Sequence, residues 1–275
     1  MIYYAIENFL AGDDAAISTS SEDTLYVKEN LYNVRPSKPF RFTGIGAAGA
    51  PEWICVEFDA AKRVTILGIF NHNFDLSGSG SELSIKGSDT GCDESVTDWD
   101  IPDYEHDISD RITANWNDLY ERLDQTRLAF RVDVIDPAND DNVEIGELFL
   151  GLATELNAAH LAPGRAESPA LYRSFNQTWY GQHWIEALSA SLSMELRITN
   201  QNDPRQVDAL RMMVLAIHAA GSKFLVVPNH LHPFVYYVAL ENGDQFMAQI
   251  ARGIECEESE WTLSLRTLTK GIALL

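Results

Sequence analysis

Short runs of β-branched and aromatic residues, separated by turn formers, dominate the first half of the chain. Such runs are "EWICVEF" (52–58), "RVTILGIF" (63–70), "ELSIK" (82–86), "RLAFRVDVI" (127–135) and "VEIGELFLG" (143–151). Their length and punctuation predict strands of a β-sandwich. Between Arg127 and Ile135 the pattern alternates. Leu128, Phe130, Val132 and Val134 share one face, and Arg127, Arg131 and Asp133 share the other, which predicts a strand with one wet side. Gly, Ser and Asp clusters at 76–81 and "DPANDDN" at 136–142 read as turns. The stretch "NWNDLYERLDQ" (115–125) reads instead as one to three turns of helix.

After Gly151 the character changes. Residues 153–176 are poorer in β-formers and hold Pro163, Gly164 and Pro169, the signature of a linker or an extended arm. Beyond it, Asp203 is the expected N-cap, Pro204 the first helical residue and Gly221 the stop of one helix. Inside that helix Val207, Leu210, Val214 and Ile217 form a buried stripe. Strands are expected at 184–198, 223–228, 234–240, 245–251 and 261–268, with an Asn-Gly hairpin turn at 241–244. The expected organisation is therefore mainly β: a sandwich over 1–152, a linker or arm over 153–176, and an α+β assembly domain with one main helix over 177–275.

Composition narrows the function. The 275 residues carry a net charge of −21. Residues 1–160 hold 30 acidic and 11 basic side chains, whereas residues 161–275 hold 11 and 9. The stretch from Gly87 to Asp110 has nine carboxylates and no Lys or Arg. Without a basic patch, nucleic acid and anionic membrane surfaces are excluded as expected partners. The opening "MIYYAIENFLAGDD" has neither the basic nor the apolar region of a secretory signal, and no apolar run reaches membrane-spanning length. A soluble protein made in the cytoplasm is expected. Cys55, Cys92 and Cys256 are odd in number and widely spaced, which argues against both a zinc site and a disulfide framework, with Cys55 as a small buried hydrophobe.

Candidate chemistry is sparse. Asp89, Asp93 and Glu94 only loosely match a calcium loop, and a solvated acidic loop is the preferred reading. His230 and His232 lack a third ligand at metal-binding spacing. No GxSxG, HExxH, P-loop or GxGxxG motif is present, so neither catalytic residues, nor a metal, nor a cofactor is assigned. Tyr172, Phe175, Trp179, Tyr180 and Trp184 cluster as an interface strip or, second, a sugar platform. The segment "FNHNFD" (70–75) ends an apolar strand. Asn71 and Asn73 are expected to satisfy its backbone, with His72 pointing outward or bonding a neighbouring carbonyl, and a ligand role for the three as the second reading.

The pieces "AISTSSED" (16–23), "NLYNVRPSKPFRFTG" (30–44), "EWICVEFDAAKRVTILGIFNHNF" (52–74), "LSIKGSD" (83–89) and "FRVDVIDPANDDNVEIGELFLG" (130–151) together resemble the discoidin-like, galactose-binding-like β-sandwich (a jelly roll) of bacteriophage virion proteins. The second half, with "FLVVPN", "FVYYVAL" and "ECEESEWTLSLRTL", is similar to tail-tube-like and tail-hub domains. The resemblance implies a non-enzymatic structural part of a phage tail, baseplate or fibre attachment, located in the virion. Its partners would be other tail proteins and copies of itself in a ring or trimer. The alternative is a carbohydrate-binding module contacting a host glycan through the sandwich loops or the Trp179/Trp184 strip. A hydrolase using the acidic loop comes third, because no acid/base pair can be named.

Overall fold

In a computed structural model the described residues are 2–33, 35–47, 49–75, 79–95, 97–111, 118–156, 161–177, 183–199, 204–219, 223–227, 235–241 and 260–267. In chain order the strands are β1 (Ile2–Ala5), β2 (Ala15–Thr19), β3 (Phe40–Arg41), β4 (Glu52–Phe70), β5 (Glu82–Ser88), β6 (Tyr104–Asp107), β7 (Asp118–Ile135), β8 (Glu144–Ile145) and β9 (Glu147–Gly151). There follow β10 (Thr154–Leu156), β11 (Leu161–Gln177), β12 (His183–Thr199), helix α1 (Pro204–Ala219), β13 (Lys223–Val227), β14 (Tyr236–Leu240) and β15 (Glu260–Thr267). The fold is mainly β with one main helix, as the hydrophobic pattern predicts. The described residues divide into two compact units. One takes residues 7–154 with Val235, and the other takes 2–6, 155–227 and 236–267.

The first unit is organised by one long antiparallel ribbon. The runs 52–58 and 63–70, expected as two strands, are the single 19-residue strand β4. "DAAK" between them carries no Gly, Pro or Asn to turn the chain, so pairing with β7 shifts register there and resumes. β2 lies on the other edge of β4 at 54–58 and β9 on the same edge at 66–70. Beyond β7 come β5 and then β6, and β3 pairs with β8. Ile54, Val56 and Phe58 from one arm of β4, and Val64, Leu67 and Ile69 from the other, enter one core with Leu83, Ile85, Leu119, Phe130, Val132, Val134 and Leu148. Both arms therefore cover the same apolar interior, and the unit is a sandwich.

The expected helix at 115–125 is corrected: from Asp118 onward it is β7, while 115–117 lie outside the described residues. Leu119 and Leu123 are buried in the sandwich core. Four residues is about one helical turn but also two strand periods, so that pair satisfies both patterns, and pairing with β4 decides.

The second unit is a seven-stranded sheet in the order β10-β1-β13-β14-β15-β12-β11. Its first member after the edge is β1, paired antiparallel with β13, so residues 2–5 belong to this sheet. Much of the stretch read as a linker or arm is strand: β11 pairs with β12 almost along its whole length. Helix α1 buries Met213, Val214 and Ile217. The expected N-cap and stop, Asp203 and Gly221, and the expected features at 241–251 lie outside the described residues. No described helix is long and apolar enough to cross a membrane.

Candidate functional site: a cleft on the outer face of the sandwich sheet

The strand end that carries Asn71, His72 and Asn73 is closed by its own side chains. Asn71 adopts a left-handed conformation, φ 52°, which Asn tolerates better than most residues. Its backbone N–H donates to Asp118 Oδ1 (2.8 Å) and its Nδ2 to the Pro36 carbonyl (2.7 Å). Asn73 Nδ2 donates to the Asn142 carbonyl (2.9 Å), and Asn73 Oδ1 accepts from the Glu144 N–H (2.7 Å). These bonds tie the segment to β8 and to the 136–142 turn. Truncating Asn73 to Ala removes both of its side-chain bonds and is expected to cost roughly 1–3 kcal/mol, visible as a lowered thermal midpoint of the full chain. An unchanged midpoint would mean that these bonds hold nothing.

His72 does not point outward. It is buried, its ring is stacked on Phe74 at 4.3 Å between centroids, and its Nδ1 accepts from the Phe74 N–H (3.3 Å). Burial lowers its pKa to about 3, so the imidazole is neutral. A neutral ring turned back on its own backbone is not placed to meet a ligand.

Of the aromatic strip, Tyr172 and Phe175 lie on β11 and Trp184 on β12, with Trp184 opposite Asn176 in the register. Trp179, Tyr180, His230 and His232 lie outside the described residues. The acidic loop does not converge on a point. Asp93 Oδ1 accepts from the Ser95 N–H, and hydrogen bonding from the Ser95 side chain and then its backbone holds the Asp93 carboxyl below its ordinary pKa. Asp103 Oδ2 accepts from the Asp89 N–H (2.8 Å), and Asp107 Oδ1 from the Ser109 N–H. The bonds of Asp93 and Asp107 close local turns, and that of Asp103 ties two distant parts of the loop together. Among the described residues no group of three or more His, Cys, Asp or Glu is placed to hold a metal ion.

A site does form where the acidic loop folds back over the sheet. The register aligns Trp53 of β4 with Asp133 of β7 and Ser84 of β5, and the next outward row is Cys55, Arg131 and Lys86. Ile54, Val56, Val132, Val134, Leu83 and Ile85 alternate with them and fill the core, so these rows occupy the opposite face. That face was expected to be wet. It is covered instead, with Arg131 and Asp133 each only 5% exposed.

Two features bring the cover. Cys92 of the acidic loop is disulfide-bonded to Cys55, with 6.0 Å between Cα atoms, which corrects the expectation that the cysteines stay unpaired. Beside it, Gly91 takes φ 104° and the Cys92 N–H donates to Glu57 Oε2 (2.8 Å). The loop then delivers Trp99 onto Cys55 and Ala129, with Trp53 packed alongside.

The Arg131 guanidinium lies over both indoles, 4.8 Å from the Trp53 ring centroid and 5.3 Å from that of Trp99. Its Nε donates to Asp133 Oδ1 and its Nη1 to Glu94 Oε1 (3.1 Å). Lys86 Nζ donates to the Trp99 carbonyl and sits 3.1 Å from Asp133 Oδ2 and 3.3 Å from Glu105 Oε1. Burial alone pulls the Lys86 ammonium down, but Asp133 and Glu105 outweigh it and hold it above its ordinary value. Both cations are thus fixed and compensated in the floor.

Above this floor opens a cleft of about 710 Å³, lined also by Gly49–Pro51, Glu82, Thr97, Asp98 and Asp100. That volume falls within the range of small-molecule sites, roughly 300–1,000 Å³. Its lining joins indole rings to hydrogen-bonding carboxylates and hydroxyls. Sequence reasoning singled out none of Trp53, Trp99, Lys86, Arg131 and Asp133 as site residues.

No family model matches the chain, and no curated protein matches it. Solved structures do resemble it. A Clostridium perfringens module designated CpGH89CBM32-6 is 16% identical over 52% of this chain and 98% of its own, with a TM-score of 0.37. A fucose-binding module of Streptococcus pneumoniae is 13% identical over 53% and 98%, TM-score 0.37. A chitosan-binding module from a Paenibacillus sp. IK-5 chitosanase/glucanase, solved with chitotriose, is 14% identical over 50% and 97%, TM-score 0.37. None of the three is described as a phage protein.

Proposed function

We propose that this chain is a non-catalytic glycan-binding protein whose sandwich unit holds a saccharide in the cleft over Trp53, Trp99 and Arg131. The observation that carries the reading is the open cleft itself, which sets half-buried Trp53 beside a ring of carboxylates and hydroxyls. A sugar ring presents apolar C–H faces and an edge of hydroxyls. Indole surface suits the first, and carboxylate acceptors suit the second. The rigid floor favours binding because little needs ordering when a ligand arrives.

A glycan array probed with the full chain, followed by calorimetry on any hit, tests the proposal. Trp53→Ala is expected to abolish detectable binding while the far-ultraviolet dichroism stays that of the wild type. Trp184→Ala, on β12 of the other unit, is expected to bind as the wild type does. The reverse outcome would move the site to the aromatic strip, and no hit at all would end the glycan reading.

The expectation of a virion part, assembled as a ring or trimer with other tail proteins, rests on hydrophobic pattern and resemblance. No contact among the described residues adds to it.

A further inference from the structure

We infer that helix α1 pairs through its exposed side with the same helix of a second copy of this chain, antiparallel about a two-fold axis. This pairing is independent of what the cleft binds. An amphipathic helix buries one apolar stripe and shows water a polar one. Helix α1 buries Met213, Val214 and Ile217, but Met212 is 64% exposed and Leu215 47% exposed, and Ala216 and Ala219 are exposed with them. Positions 212, 215, 216 and 219 are spaced i, i+3, i+4 and i+7, so they form one continuous stripe, and none of the four is polar.

The order of residues along the stripe says what covers it. It runs large, large, small, small, and its spacing is symmetric about the point between Leu215 and Ala216. An antiparallel copy related by a two-fold axis through that point sets Met212 against the partner's Ala219 and Leu215 against the partner's Ala216. Each large side chain then meets a small one, which is how two helices interdigitate at close approach. A two-fold interface requires such self-complementarity. The other exposed large apolar residues among the described ones, Leu25, Ile101 and Leu152, come from three separate segments of the sandwich unit and offer no matching stripe.

Charge selects the same surface. Residues 1–160 hold 30 acidic and 11 basic side chains, so two sandwich units repel one another, whereas residues 161–275 hold 11 and 9 and can face a copy of themselves at little electrostatic cost. The contact is small. Helix α1 has 16 residues, about 24 Å of axis, and one helix against one helix lies below the roughly 1,200 Å² of a standard stable interface. The dimer is therefore weak, with a dissociation constant on the order of 10–100 µM.

Sedimentation velocity of the full chain from roughly 1 to 300 µM tests it. The sedimentation coefficient should rise with concentration towards that of a dimer, and added salt should tighten the dimer by screening two chains of like charge, where an interface held by ion pairs would loosen. Leu215→Glu should weaken association at least about tenfold while keeping the wild-type far-ultraviolet dichroism. Leu25→Glu, the same charge change at an exposed leucine of the sandwich unit, should associate as the wild type does. Under mild oxidation Ala216→Cys should give a reductant-sensitive dimer that the wild type, with its own cysteines, does not. A chain monomeric at every concentration would overturn the pairing, and so would a dimer that Leu215→Glu leaves intact. A dimer lost in Leu215→Glu but never cross-linked through position 216 would overturn the two-fold arrangement. A monomer that instead floats with phosphatidylcholine vesicles, and ceases to in Leu215→Glu, would replace the second copy with a lipid surface.

Discussion

Acidification from pH 6.5 towards pH 3 is expected to remove about 1.4 kcal/mol of stability per pH unit through His72 alone, up to roughly 4–5 kcal/mol. The cause is local. The ring is buried, stacked on Phe74, and bonded at Nδ1, while Nε2 has no partner among the described residues. Burial lowers its folded-state pKa from 6.5 to about 3. At pH 5 an unfolded chain has this imidazole protonated, whereas the folded chain keeps it neutral. The unfolded state therefore binds more protons throughout this window, and stability falls as pH falls. Above pH 6.5 the imidazole is neutral in both states, and the effect vanishes.

Urea unfolding of the wild type and of His72→Leu at pH 7.5, 6, 5 and 4.5 measures it. At pH 7.5 the variant is expected to be less stable by roughly 1 kcal/mol, having lost the acceptor for the Phe74 N–H. By pH 4.5 the difference should have swung about 2.7 kcal/mol in the variant's favour. Asp107, held low by Ser109, and Asp136, raised by burial, titrate in both proteins and drop out of the comparison. Parallel curves would show that His72 does not stay neutral in the folded protein.

Why the strands could be read and the site could not follows from what each depends on. Alternation at 127–135 is a local property, and its apolar half does line the core at Phe130, Val132 and Val134. The polar half carried the same signal for two different fates. Arg131 and Asp133 on a wet face and on a covered face have identical sequence, and only the acidic loop, whose Glu94 meets Arg131 across a sequence separation of 37, decides between the two. The Cys55–Cys92 pairing was hidden for the same reason. One pair among three cysteines has no diagnostic spacing, and its closeness exists only once β4 is in register and Gly91 has turned the chain. Trp99 sits in "TDWD", a setting that reads as solvated acid, although the indole itself is buried. His72 was misjudged because flanking asparagines suggest a polar turn. The asparagine side chains do reach backbone partners, and this leaves the ring between them to turn inward.

The second large effect concerns the covalent clamp on the cleft. Reduction of Cys55–Cys92 is expected to destabilise the sandwich unit by about 2–4 kcal/mol, because the bond closes a loop of sequence separation 37 and its loss frees the unfolded chain. The folded state suffers too. Cys92 anchors the loop that brings Glu94 to Arg131 and Trp99 to the cleft wall, so the proposed glycan binding should weaken before the unit unfolds.

Thiol labelling in denaturant fixes the redox state first. Before reduction a single thiol, Cys256, should label, and after reduction all three should. Three labelled thiols at the start would overturn the pairing. Urea unfolding with and without reductant then gives the stability loss, and the double variant Cys55→Ala/Cys92→Ala should match the reduced protein and be insensitive to reductant. Persistence of this bond requires oxidising surroundings, since cytosolic thiols are kept reduced.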